Sequence, residues 1–384
     1  MSSNLKIYLL SLICFFTGTS EFIVVGILDE ISKTTHLTIP QAGQLTTVFA
    51  LTSAIGTPIG TYLLRAFNQR KLLIIALSLV ITGSLLLTLT SLYELMIVSR
   101  VIMALGVGLF NVQCFLVATK LVVPEKRASA ISTMTIGFNA SLIFGLPMGR
   151  FITSVSGWRM NFLLLAVFCF LAIIAVYRFI PVFETEKPNS FKQQFSLFKN
   201  RKLLLSMSIS FFWILGYAVF YTFVTPFLQQ VSSLDVHLLS GALFAYGIAT
   251  LIGNKLGAFT SEKFGFQKVI KVSIALNAIA MLLLSLEKGM PLLSVITLML
   301  WALAVWASGP LLRYNIITIA EKNQGIVISL YNSLVQLGVA TGAGIGGIVV
   351  AHLPIISLSY VSTLAVLISF ILAVNFFSNK KLGV

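Results

Sequence analysis

Acidic side chains are scarce in this chain: 384 residues hold 11 Asp and Glu against 26 Lys and Arg, and charged residues of all kinds make up only 10%. So little charge, beside 58% hydrophobic residues and a mean hydropathy of +0.99, excludes a water-soluble globular domain. Cysteine is nearly missing as well. Cys14, Cys114 and Cys169 fall inside apolar stretches at no spacing suited to a metal, so neither a metal centre nor a disulfide is expected. There is no GxxxxGK[ST] phosphate loop and no nucleophile, base and acid constellation, which argues against an ATP-driven pump or an intramembrane enzyme; no cofactor is expected. The series Gly342, Gly344, Gly346 and Gly347 lies in an apolar run without a preceding strand, and reads as helix packing rather than a dinucleotide loop. A cleavable leader is not indicated, because the first apolar stretch follows a single Lys6 and runs past Glu21 without a small-residue cleavage site.

What is present is a long series of apolar stretches, each needing ~20 residues to cross a ~30 Å hydrocarbon core as a helix. They fall near 7–28, 43–65, 71–91, 95–118, 129–154 and 160–180, and again near 203–229, 238–260, 268–286, 291–317, 325–350 and 356–377. The second six repeat the first at a constant shift of 197 residues, the separation of Gly145 and Gly342. Gly145-Leu146-Pro147-Met148-Gly149 returns as Gly342-Ala343-Gly344-Ile345-Gly346, and Ile55-Gly56 with Gly60 returns as Ile252-Gly253 with Gly257. Duplicated bundles of hydrophobic helices are how solute carriers are built. The expected fold is therefore an all-α membrane protein with twelve transmembrane helices in two pseudo-symmetric six-helix bundles, 1–180 and 203–384, joined by a linker at 181–202. In the linker Phe191, Phe195 and Phe198 recur at helical spacing beside Lys192, Lys199, Arg201 and Lys202, which suits a short helix on the membrane surface or, equally, a solvated connector.

The charge of +15 follows topology rather than a nucleic-acid partner. About 20 basic residues fall on the side shared by both termini, against Lys33, Arg159 and Lys288 on the other, so both termini are expected in the cytosol.

Particular residues sharpen this reading. Phe16-Thr17-Gly18-Thr19-Ser20-Glu21-Phe22 opens the chain; Ser99-Arg100-Val101-Ile102 precedes Gly106 and Gly108 in the fourth stretch; Gly145-Leu146-Pro147-Met148-Gly149 and Gly157-Trp158-Arg159 mark the fifth. In this order the chain resembles the major facilitator superfamily, in particular bacterial twelve-span drug/proton antiporters and arabinose- and purine-efflux-type permeases. The resemblance implies a multi-pass protein of the bacterial cytoplasmic membrane, a monomer with a small-molecule substrate, protons and the lipid bilayer as partners, which exports its solute by alternating access. Two departures stand out. Arg65, Arg70 and Lys71 keep the basic cluster of the loop after the second span without its usual acid, whereas Glu262, Lys263 and Gly265 after the eighth are closer to pattern; Asp29-Glu30 occupies a place where relatives often carry proline, as the repeat does at Pro226.

An ionisable group at membrane depth costs at least ~2.5 kcal/mol and needs a reason. Glu21 is the only carboxylate expected well inside a span, since Asp29, Glu30, Glu94, Asp235 and Glu287 read as outer ends. It lies ~21 Å from the cytosolic side at ~1.5 Å per residue, and Arg100, ~9 Å below the outer surface of a ~30 Å core, shares that level. The resemblance implies that the first and fourth spans lie side by side, so Glu21 and Arg100 are the expected proton-coupling pair, directly bonded or bridged by water. Arg150 and Arg313 are expected to snorkel to headgroups. Substrate contacts are expected from Trp213, Tyr217 and Tyr221, one aromatic stripe on the seventh span, with Asn111, Gln113, Asn139, Tyr331, Asn332 and Gln336. Gly145, Pro147 and Gly149 are expected to bend or closely pack the fifth span. Importing or facilitating the passage of an amino acid, sugar or nucleoside stays open, as does a non-transporting receptor or lipid-handling role.

Overall fold

The computed structural model describes residues 2–64, 66–123, 127–183, 200–319 and 324–378. The expected surface helix around Phe191, Phe195 and Phe198 lies outside the described residues, as do Arg65, Lys322, Lys380 and Lys381. The chain divides into two compact units, Met1–Pro188 and Asn189–Val384.

The first unit contains α1 (Ser3–Thr35), α2 (Ile39–Leu63), α3 (Gln69–Leu89), α4 (Tyr93–Lys120), α5 (Arg127–Ala140), a π turn (Ser141–Gly145), α6 (Leu146–Ser156) and α7 (Arg159–Phe179). The second contains α8 (Arg201–Tyr221), α9 (Val224–Gln230), α10 (Val236–Phe264), α11 (Phe266–Leu286), α12 (Pro291–Ile319), α13 (Gln324–His352) and α14 (Ser357–Ser378). Each of the twelve apolar stretches thus coincides with helix. Among the described residues ten helices are long and apolar enough to cross a membrane. α2 is not among them, being rich in Thr, Ser and Gln, and the fifth stretch is divided by its π turn.

Polar caps set several helix starts. Thr38 and Gln41 form a reciprocal capping box at α2, Asn68 Oδ1 accepts from the Lys71 amide at 2.9 Å, and Asp235 Oδ1 accepts from the Leu238 amide at 2.7 Å. The π turn has an identifiable origin. Pro147 has no N–H to offer the carbonyl four residues before it, and the chain absorbs the lost bond by widening to i→i+5 bonding over Ser141–Gly145.

Within the first unit α1 packs along α2 and along α5, the π turn and α6; α2 packs along α4, and α3 along α4 and α7. The second unit repeats these neighbours: α8 packs along α13, α10 along α12, and α11 along α12 and α14. Small residues allow the approach. A Cβ on Gly106 would lie 2.6 Å from the Ala76 carbonyl oxygen, and one on Gly145 would lie 2.6 Å from Thr19 Oγ1. In the second unit a Cβ on Gly253 would lie 2.7 Å from the Leu303 carbonyl oxygen, and one on Gly342 would lie 2.5 Å from that of Leu215. In apolar surroundings, where burial drives helices together weakly, such contacts supply the packing energy.

Candidate functional site

Two buried clusters stand out, one in each unit. In the first, α3 and α4 are pressed together: Ser99 Oγ donates to the Gly83 carbonyl at 2.6 Å, and Gly106 lies on Ala76. The neighbouring Arg100 consequently points away from α3, toward α1 and α2. It is fully buried. Its Nε donates to the Leu45 carbonyl at 3.2 Å, Nη1 to the Ser20 carbonyl at 2.9 Å and Nη2 to the Glu21 carbonyl at 3.3 Å. The guanidinium carbon lies 4.2 Å from the centre of the Phe49 ring. Three carbonyl dipoles and an aromatic face take the place of water around this cation, without which its burial would be prohibitive. Arg100 and half-buried Glu21 are therefore brought together, with the main chain of α1 carrying the hydrogen bond.

Nearer the far end of α1 lies a contact that the sequence did not lead us to expect. Arg150, read as a snorkelling side chain, is 1% exposed. Its Nη1 donates to Asp29 Oδ1 in a short ion pair and to the Gly26 carbonyl at 3.4 Å. Asp29 is correspondingly not at an exposed outer end, because α1 continues to Thr35 and α6 covers it. α1 is thus held by two guanidinium groups, one from α4 and one from α6. The Gly157-Trp158-Arg159 corner closes the same end: Trp158 Nε1 donates to Thr34 Oγ1 at 2.7 Å, and Arg159 Nη2 to Ser91 Oγ at 2.7 Å. Of the other residues expected in this half, Gln113 is buried, while Asn111 on α4 and Asn139 on α5 are half-buried.

In the second unit Trp213, Tyr217 and Tyr221 share one face of α8 and are all buried. The two tyrosine rings stack at 4.8 Å, and Trp301 of α12 stacks on Tyr217 at 5.4 Å. Tyr246 of α10 completes the group, stacked on Tyr221 at 5.4 Å with its hydroxyl 3.0 Å from that of Tyr217. Trp306 Nε1 donates to the Tyr246 hydroxyl at 3.3 Å. Tyr246, Trp301 and Trp306 were not anticipated from the sequence. For Tyr246 a signal lies in the repeat: a shift of 197 carries Phe49 onto Tyr246, Ser20 onto Tyr217 and Arg100 onto Thr297. Tyr217 and Tyr246 of the aromatic cluster thus occupy the register that Ser20 and Phe49 of the Arg100 site hold in the first unit.

Tyr331 does not join this cluster. It packs with Leu203, Met207, Ile316 and Val327, toward the beginning of α8. Arg313 lies with its guanidinium carbon 5.3 Å from the centre of the Tyr331 ring, and its Nη2 donates to Asn332 Oδ1 at 3.4 Å. Asn332 is exposed and Gln336 half-buried. Glu287, expected at an outer end, is instead 5% exposed, and its Oε1 accepts from Thr297 Oγ1 at 2.6 Å. Glu262 and Lys263 are exposed beside Gly265, whose φ of 82° makes the turn from α10 into α11. Among the described residues no group of three or more His, Cys, Asp or Glu could hold a metal ion.

The sequence profile described as Major Facilitator Superfamily matches residues 10–245 and 210–382, nearly the whole chain in two passes. The chain belongs to this superfamily. It is 37% identical over 380 residues to the uncharacterized MFS-type transporter YbcL of Bacillus subtilis, covering 99% of this chain and 97% of the relative. It is 27% identical to YtbD of the same organism, another uncharacterized MFS-type transporter, over 93% of this chain and 91% of that one. Among solved structures it is similar to a bacterial homologue of the human lysosomal transporter Spinster, with a TM-score of 0.75, 17% identity and 98% of both chains covered. It is also similar to the nucleoside transporter NupG, with a TM-score of 0.77, 12% identity and 97% and 99% of the two chains covered. At those identities the likeness carries the fold: an all-helical, multi-pass membrane protein of the facilitator type.

Proposed function

We propose that this superfamily member is a proton-coupled secondary transporter that exports a small amphipathic or aromatic solute by alternating access, its two units acting as the moving bodies. The observation that carries the reading is Arg100, buried without water contact and bonded to the main chain at Ser20 and Glu21. A guanidinium at that place stabilises the charged form of a nearby carboxylate, while removal from water stabilises the neutral form. Coupling then lies in a movement that changes what surrounds Glu21 and Arg100. The aromatic group around Tyr217, Tyr221 and Tyr246 supports the solute class, since it offers flat apolar faces with a few hydroxyls. Export rests on the resemblance to efflux permeases.

The test uses everted membrane vesicles, in which an exporter takes solute up when the interior is acidified. Glu21→Gln is expected to abolish proton-driven uptake while counterflow of labelled solute persists. Proton-driven uptake unchanged by Glu21→Gln removes Glu21 from the mechanism, and solute flux indifferent to the pH gradient in the wild-type protein removes proton coupling.

A further inference from the structure

α10 and α11 are joined by Gly265 and diverge from that turn, while α12 packs along both. The approach of α10 to α12 is set by Gly253 and Gly257, whose missing side chains leave room for the main chain at Leu303 and Ala307. The result is a groove between α10 and α11, floored by α12 through Ala304 and Ala307, with a volume of about 600 Å³. That volume lies within the ~300–1,000 Å³ of ligand sites. Leu256, Phe264, Val272 and Leu276 form much of its wall, and each of these four is exposed along the helix rather than covered by another helix of the unit.

One end differs from the rest. Lys268 lines the groove there, and its Nζ lies 5.7 Å from the centre of the Phe264 ring; Lys263 Nζ lies 5.4 Å from the same centre. One aromatic ring gathers two ammonium groups, and neither is in an ion pair among the described residues. Two cations at the mouth of an oil-lined slot match a molecule with an anionic head and a hydrocarbon tail. In a membrane-spanning protein the exposed face of such a slot meets lipid, and basic pockets between helices are where anionic headgroups are held. We propose that this groove binds an anionic phospholipid, one acyl chain lying between α10 and α11 and the phosphate resting on Lys263 and Lys268. This site lies wholly within the second unit and is independent of the coupling reading above.

The experiment is native mass spectrometry of the full-length protein released from nanodiscs of equal parts phosphatidylglycerol and phosphatidylcholine. The wild-type protein is expected to retain phosphatidylglycerol in preference to phosphatidylcholine. Lys263→Gln with Lys268→Gln should lower phosphatidylglycerol retention about tenfold or more, two lysine contributions being lost, and leave phosphatidylcholine unchanged. Val272→Trp, which fills the groove and keeps both lysines, should lower retention of phosphatidylglycerol as well. Thermal unfolding of both variants separates loss of the site from loss of the fold; if either unfolds early, Lys263→Arg with Lys268→Arg must retain wild-type binding. No preference between the two lipids, or a preference indifferent to both variants, overturns the proposal. So does a protein dimer that Val272→Trp abolishes, since the groove would then be the seat of a second copy.

Discussion

At the scale of single residues, the first unit is governed by what its two buried arginines are bonded to. Arg100 meets three main-chain carbonyls and a ring, so no single side-chain substitution elsewhere strips it of all its partners. Arg150 is different, because among the described residues its only side-chain acceptor is Asp29 and its Nη2 is buried without a hydrogen-bond partner. Removing one member of a buried pair leaves an uncompensated charge, which costs about 3–5 kcal/mol, whereas removing both costs far less. Asp29→Asn is therefore expected to lower the unfolding midpoint of the detergent-solubilised protein strongly, and Asp29→Asn with Arg150→Gln to recover most of that loss. If the double variant is as unstable as the sum of the singles, the pair carries no coupling energy and the ion pair is not what holds α1 to α6.

At the scale of elements, the fifth span shows how a local defect can be put to use. A proline inside a helix costs about 3 kcal/mol, and the π turn before Pro147 is the form that cost takes here. Pro147→Ala restores an amide and lets the segment return to regular helix, so it should raise the unfolding temperature. Narrowing the turn also rotates α6 relative to α5 and carries Gly145 and Gly149 off Thr19 and Ile23 of α1, where they are closely packed. Transport by the more stable variant should consequently be slower, measured as initial uptake per molecule of protein in vesicles. A faster or unchanged rate would make the π turn a tolerated flaw.

The sequence revealed the elements better than the contacts between them. Apolar runs and the 197-residue shift marked where the helices lie, ten of them among the described residues long and apolar enough to cross a membrane, because length and hydropathy are local properties. Depth arithmetic put Glu21 and Arg100 at one level and the resemblance put their spans side by side, but that Arg100 bonds the main chain of α1 at Ser20 and Glu21 was not legible in either. Arg150 was misplaced because its partner is 121 residues away and depends on how far α1 continues, which hydropathy does not fix once Asp29 interrupts the run. Trp301 and Tyr246 escaped notice for a related reason: each is flanked by apolar residues in its own helix, and only the packing of α8, α10 and α12 makes them one cluster.

At the scale of the whole molecule, the duplication supplies two copies of one packing scheme that have been filled differently. Where the first unit places Ser20, Glu21, Phe49 and Arg100, the same register in the second holds Tyr217, Ala218, Tyr246 and Thr297. At these four positions the charged side chains fall in the first unit and the tyrosines in the second. The proposed function assigns the two tasks accordingly, proton sensing to the first unit and the choice of solute to the second. Tyr246→Phe separates the two roles: it leaves the stacking on Tyr221 intact but removes the hydroxyl that meets Tyr217 and accepts from Trp306. Leaving those two groups unpaired costs about 1–3 kcal/mol in a buried setting. The expected result is a changed ranking of solutes in competition uptake, with the dependence of transport on the pH gradient the same as in the wild-type protein. Glu21→Gln should do the reverse, flattening the pH dependence while preserving the ranking, and the double variant should show both effects, each residue belonging to its own compact unit. A Tyr246→Phe protein that loses its pH dependence would mean that the aromatic cluster participates in moving the proton, and the assignment of one task to each half would have to be abandoned.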